Sequence, residues 1–210
     1  MIAIVDYGMG NLRSAQKGFE RAGHDSEITD DPEIIAQADA VVLPGVGAFK
    51  DCYDGLCARG LVEPLRAAAD SGRPFLGICV GLQLLFEASD EGEGSEGLGI
   101  LPGRVVRFAD ARATGLKVPH MGWNRIRSAQ EPSCALLAGA SEEPYVYFVH
   151  SYYAQPTDDR VVLATAEYGV TFPAMVGRGN IYAVQFHPEK SQREGIRILE
   201  AFGNLARNGR

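Results

Sequence analysis

Pro74-Phe75-Leu76-Gly77-Ile78-Cys79-Val80-Gly81-Leu82-Gln83-Leu84-Leu85-Phe86-Glu87 changes character at its centre. Phe75 to Ile78 is a short, continuous apolar run, the pattern of a strand buried on both faces. From Val80 to Glu87 the apolar residues fit a helix. Cys79 sits at the junction, between Gly77 and Gly81, so the chain must turn sharply there from strand to helix. Outward from this segment the same alternation recurs. Residues 2–5 form a β-branched apolar run, and Gly8 and Gly10 then break the chain. Asn11 is placed to cap a helix whose stripe is Leu12, Ala15, Phe19 and Ala22, with Gly23 as its stop. Residues 40–43 read as a second buried strand closed by Pro44-Gly45-Val46-Gly47, and residues 61–71 as a helix. Strands alternating with helices imply a parallel sheet covered on both faces.

Beyond residue 88 the pattern changes. Residues 89–99 are acidic and glycine-rich, which predicts a loop. Four β-type runs follow, at 104–108, 145–149, 161–166 and 181–186, with few helical patterns among them. A last helix spans 191–206, with Ser191 as cap and Ile196, Leu199, Phe202 and Leu205 as its stripe. No repeat or linker divides the chain. The expectation is one α/β domain over residues 1–210, with a mostly parallel central sheet flanked by helices and antiparallel strands added to it.

Composition narrows the function. With 20 Lys and Arg against 27 Asp and Glu, the net charge is −7 and the basic residues are scattered, which argues against nucleic acid as partner. Hydrophobic residues at 46% and charged residues at 22% suit a folded globular chain. The four cysteines contain no C-x-x-C pair, so neither a disulfide scaffold nor a zinc site is expected; free thiols suit a reducing, cytoplasmic setting. The N-terminal residues lack a signal peptide's basic start, and no apolar run is long enough to span a membrane. Gly8 and Gly10 do not complete G-x-G-x-x-G, because Arg13 stands at the last position. No metal or organic cofactor is expected.

A nucleophile between two glycines at a strand-to-helix bend is the elbow of hydrolases, with Cys where many have Ser. The helix N-terminus favours the thiolate, the reactive form. A buried structural cysteine is the competing reading; the flanking glycines and the strand–helix context favour the elbow. A thiolate nucleophile needs a base, and the base an orienter. His187 follows the run Ile181-Tyr182-Ala183-Val184-Gln185-Phe186, so it stands at a strand end like Cys79, where α/β sheets place their sites. Glu189 is two residues on and can hold the imidazole. His24 reads as structural, while His120 and His150 remain possible substitutes for the base.

Gly77-Ile78-Cys79-Val80-Gly81-Leu82-Gln83 and Gln185-Phe186-His187-Pro188-Glu189 together resemble the class I (triad) glutamine amidotransferases, whose fold is flavodoxin-like, and the likeness covers essentially the whole chain. The resemblance implies Cys79, His187 and Glu189 as the catalytic triad. It makes Pro44-Gly45-Val46-Gly47-Ala48-Phe49 the oxyanion loop, with donors from Val46, Gly47 and Val80, and it assigns contacts to glutamine to Gly45, Gln83, Ser151 and Tyr152. Asp6-Tyr7-Gly8-Met9-Gly10-Asn11, Pro119-His120-Met121-Gly122-Trp123-Asn124 and His187-Pro188-Glu189-Lys190-Ser191 are similar to the glutaminase subunits of imidazole glycerol phosphate synthases. That likeness implies a barrel-shaped cyclase subunit as partner in a heterodimer. The interface would then include Asn11, Met121, Trp123, Asn124, Tyr147 and Lys190, although Trp123 reads equally well as a core residue. Competing functions are another class I glutaminase, such as the pyridoxal phosphate synthase subunit, a non-catalytic module of the same fold, and a hydrolase of other γ-glutamyl compounds.

Overall fold

The computed structural model describes residues 1–92, 94–109 and 115–208. Its first half runs β1 (Ile2–Val5), α1 (Leu12–Arg21), β2 (Ser26–Thr29), α2 (Pro32–Gln37), β3 (Ala40–Gly45), α3 (Phe49–Ala58), α4 (Val62–Asp70), β4 (Phe75–Cys79) and α5 (Val80–Gln83). Then come β5 (Ala88–Ser89), β6 (Ser95–Glu96), β7 (Gly103–Arg107), β8 (His120–Arg125), β9 (Arg127–Ser128), β10 (Tyr145–His150), β11 (Tyr152–Pro156), β12 (Val162–Glu167), β13 (Thr171–Arg178), β14 (Ile181–Val184) and α6 (Gln192–Asn208).

The main sheet has the order β2-β1-β3-β4-β14-β13-β12-β9. Pairs from β2 through β14 are parallel, and β13, β12 and β9 extend the sheet antiparallel. β1, β3 and β4 are buried at every residue, as their unbroken apolar runs require. The chain reverses direction across the sheet after β2, so right-handed crossovers place α1 on one face and α2 to α4 on the other. α6 joins α1, with Phe19 and Phe202 rings 6.0 Å apart. The remaining strands form two smaller sheets, of order β10-β8 and β11-β7-β5-β6. Thus the expected α/β architecture, parallel core and added antiparallel strands are all present.

Four local expectations change. The helix after Cys79 stops at Gln83 rather than reaching Glu87. Residues 84–87 instead form tightened turns whose carbonyls accept from Leu98, Leu101, Gly99 and Gly97, so tertiary bonds to the following loop replace the helical ones. That loop contains the two-residue strands β5 and β6. In α6 the buried line is Ile198, Leu199, Phe202 and Ala206; Ile196 and Leu205 are only half-buried. Asn11 makes no side-chain cap bond to α1.

Candidate active site

Sharp backbone geometry begins at Cys79, the last residue of β4, with φ 57° and ψ −111°. A side chain with positive φ is costly, and such strain clusters at working sites. The neighbouring glycines are sterically required. A Cβ on Gly81 would lie 1.8 Å from the Leu43 carbonyl oxygen, and one on Gly77 would lie 2.7 Å from that of Gly81. Gly81→Ala should therefore cost about 3 kcal/mol or more, because only backbone could give way; urea unfolding of the two proteins measures it. Gly45 belongs to the same packing: its Cβ would meet Gly81 N at 2.8 Å. It lines a small void behind His187 and Glu189 rather than the cleft itself.

His187 follows β14, and Pro188 turns the chain into a short 3-10 segment that brings Glu189 back beneath the ring. His187 N–H donates to the Tyr147 carbonyl at 2.9 Å. The Ser191 hydroxyl donates to the His187 carbonyl at 2.6 Å and accepts from Tyr147 N–H at 2.9 Å. Ser191 therefore uses its hydroxyl to clamp the catalytic segment; its backbone carbonyl accepts from Gly195 N–H at the start of α6. His187 Nδ1 and Glu189 Oε1 are 2.8 Å apart, with both side chains almost fully buried. With Nδ1 committed, Nε2 is the nitrogen left to face Cys79, and it has no other partner among the described residues. Burial works against a charge on His187. The Cys79 thiol and the Glu189 carboxylate outweigh it and push the imidazole up to about 10, as expected for a thiol–imidazole pair.

These groups open onto a cleft of about 500 Å³ at the carboxyl ends of the parallel strands. Asn11, Val46, Gly47, Val80, Gln83, Ser151, Tyr152 and Lys190 all line it with Cys79 and His187. The expected oxyanion and substrate residues other than Gly45 are thus gathered in one place. Gln83 is buried; its Nε2 donates to the Tyr152 carbonyl and to Gln185 Oε1, each at 3.1 Å. Gln185 Nε2 lies 3.9 Å from the Cys79 sulphur. Sequence reasoning gave Gln185 no role of its own, although it is a polar residue within the apolar run leading to His187, fully buried between Val184 and Phe186. Glu91 was missed too. It lines the cleft from the acidic loop and accepts from Phe49 N–H at 2.8 Å, at the head of α3.

His120 and His150 are not substitutes for the base. Their rings bond to each other, His120 Nδ1 to His150 Nε2 at 2.9 Å, and burial holds them down, to about 4 and about 3. His24 is buried against Gly203 of α6, a structural place.

Met121 and Trp123 are exposed, at 63% and 45%, so Trp123 is not a core residue. They share the outer face of the β8–β10 ribbon with Tyr147, which pairs with Trp123 and packs edge-on to it at 6.0 Å. Val149 on the same face lines the cleft, so the ribbon's apolar surface runs directly into the site. Asn124 points the other way, donating to the Glu167 carbonyl at 2.9 Å. Lys190 is exposed at the rim of the cleft.

The family model described as glutamine amidotransferase class-I matches residues 3–204. A protein of Syntrophotalea carbinolica named imidazole glycerol phosphate synthase subunit HisH is 59% identical, over 98% of this chain and 100% of its own. One of the same name from Geobacter metallireducens is 52% identical, over 96% of each chain. A crystal structure titled glutamine amidotransferase superposes with a TM-score of 0.73 at 21% identity, covering 98% of this chain and 99% of that one, which supports the fold. The chain belongs to the class I glutamine amidotransferases and, within them, to the HisH subunits of imidazole glycerol phosphate synthase.

Proposed function

We propose that this chain hydrolyses glutamine to glutamate and ammonia and passes the ammonia to a cyclase subunit, which forms imidazole glycerol phosphate and AICAR in histidine biosynthesis. The observation that carries the chemistry is the buried His187–Glu189 pair opening onto a thiol held at a strained elbow. Cys79 thiolate attacks the carboxamide carbon, and the oxyanion is met by backbone N–H groups of Val80 and of the Val46–Gly47 loop. His187 protonates the nitrogen as the C–N bond breaks, releasing ammonia and leaving a γ-glutamyl thioester. It then takes a proton from water, which attacks the thioester and frees glutamate and the thiol. Glu189 holds the ring in its working tautomer and stabilises its charged form.

Substrate orientation follows from charge. Glutamine carries an α-ammonium, and among the described residues Glu91 is the carboxylate outside the triad that lines the cleft. Glu91→Gln keeps an acceptor for Phe49 N–H but removes the charge. It is expected to raise KM for glutamine about tenfold with little change in kcat, roughly the worth of one charge-assisted hydrogen bond. Steady-state kinetics with glutaramate, which lacks the ammonium, should show no such difference between the two proteins.

The partner reading rests on the exposed Met121–Trp123–Tyr147 face, continuous with the cleft, where a docked protein would enclose the released ammonia. Asn11 and Lys190 at the cleft rim belong to the same proposed contact. Among the described residues no helix is long and apolar enough to cross a membrane, and the setting we propose is cytoplasmic. Co-purification with the cyclase subunit, followed by glutamine-dependent formation of imidazole glycerol phosphate, tests the whole reading. A mixture that makes product from ammonium salts but never from glutamine rejects it.

A further inference from the structure

A line of hydrogen bonds crosses the molecule from the exposed ribbon to the nucleophile, and its middle members take no part in the chemistry above. Asn124 Nδ2, bonded to the Glu167 carbonyl, also reaches His120 Nε2 at 3.4 Å. His120 Nδ1 lies 2.9 Å from His150 Nε2, and His150 Nδ1 lies 2.8 Å from the Tyr152 carbonyl. That carbonyl also accepts from Gln83, which leads through Gln185 to the Cys79 sulphur.

The order of donors is forced. A carbonyl only accepts, so His150 Nδ1 carries the proton. In a neutral ring His150 Nε2 is then an acceptor, and His120 Nδ1 must donate to it. His120 Nε2 is left as an acceptor, and it faces the amide nitrogen of Asn124, a donor. One further proton on His150 would set two N–H groups against each other at 2.9 Å. The rings are also mechanically held. His120 is stacked between Phe148 and Tyr168, with centroids at 4.9 and 4.1 Å, and Phe108 packs edge-on to His150 at 5.1 Å. His150 borders the cleft.

We infer that His120 and His150 are positioning residues: a tautomer-locked pair that fixes the Tyr152 carbonyl and, through it, the Gln83 carboxamide at the glutamine cleft. Gln83 Nε2 gives one proton to Tyr152 and the other to Gln185. This leaves Oε1 as the end of the side chain for a ligand, and the amide cannot flip without breaking both bonds. The inference rests on the reading that the cleft binds glutamine, and it adds that substrate affinity is set partly by two histidines that do not touch the reacting atoms.

The test is glutamate release by the full chain, with the cyclase subunit present, for wild type, His150→Leu and His150→Asn. Asparagine has the shape of leucine but places an N–H donor where imidazole Nδ1 stood. His150→Leu is expected to raise KM for glutamine roughly tenfold, the effect of one lost hydrogen bond in the substrate's support, with kcat changed less than about twofold. His150→Asn should recover most of that loss. Equal KM changes in both variants, or none in either, overturn the inference while wild-type turnover upholds the glutaminase. A wild type that releases no glutamate overturns both. If the leucine variant does not fold, nitrogen-15 NMR of the wild-type imidazoles reads the same arrangement. Both rings should be Nδ1-protonated and untitrated from about pH 5.5 to 8. An Nε2–H tautomer on either ring, or titration near the ordinary histidine range, overturns it.

Discussion

Cys79→Ala is expected to lower glutamine hydrolysis by about 10⁴-fold or more while the protein stays folded. The sulphur is the only atom at the elbow that can form the thioester, and without it His187 has no nucleophile to serve. Removing a triad member leaves only binding and oxyanion stabilisation. The substitution is gentle on the fold, because alanine adds no volume and the backbone at φ 57° already bears a Cβ. A second readout separates lost chemistry from lost structure. The Cys79 thiol contributes to the raised pKa of His187, so that pKa should fall in the variant, observable by NMR titration. A glutamine-mimicking diazo ketone should add its mass to wild type at Cys79 and leave the variant unmarked. A Cys79→Ala chain that hydrolyses glutamine at full speed ends the assignment.

What the sequence disclosed was governed by how local each cause is. The elbow was legible because its constraint is steric and lies within five residues: Gly77 and Gly81 are needed where a Cβ would strike backbone. His187 and Glu189 were legible because proline fixes the turn between them. The buried strands β1, β3 and β4 showed as unbroken apolar runs. By contrast, β8 carries Gly122 and Asn124, and β13 carries Pro173 and Gly177, so propensity argued against strands whose pairing is supplied from elsewhere. The six-residue α2 buries only Ile35, although Asp31 caps it and Pro32 opens it. The overlong reading of α5 failed for the opposite reason: residues 84–87 fit a helical pattern locally, but the 97–101 segment takes their carbonyls. The polar assembly of Gln83, Gln185, His120 and His150 draws on α5, β8, β10 and the segment after β14, and nothing in the spacing of those residues announces it. Glu91 was hidden by its neighbours, since an acidic loop reads as solvated until one carboxylate is seen turned inward.

The isolated chain is expected to be a poor glutaminase, with kcat rising about 10²- to 10³-fold when the cyclase subunit docks, the worth of one oxyanion donor. The reason lies in the loop after β3. Its carbonyls are held from behind: Pro44 accepts from the Tyr7 hydroxyl at 2.7 Å, and Val46 from the Cys52 thiol at 3.4 Å. Val46 is β-branched and resists the backbone angles a peptide must pass through to reorient its N–H. Gly47 already has φ 95°, and its Cβ position lies 3.1 Å from Met9. Aiming a loop N–H at the oxyanion therefore means leaving these bonds, and a partner seated on the adjoining Trp123 face can supply that free energy. Val46→Gly lowers the same barrier without a partner, so its basal kcat should exceed that of wild type and its stimulation should shrink. Because the donor acts on the transition state, the gain should appear in kcat rather than KM. Equal turnover with and without the cyclase would mean that the loop already holds its working pose, and that docking serves only to retain ammonia.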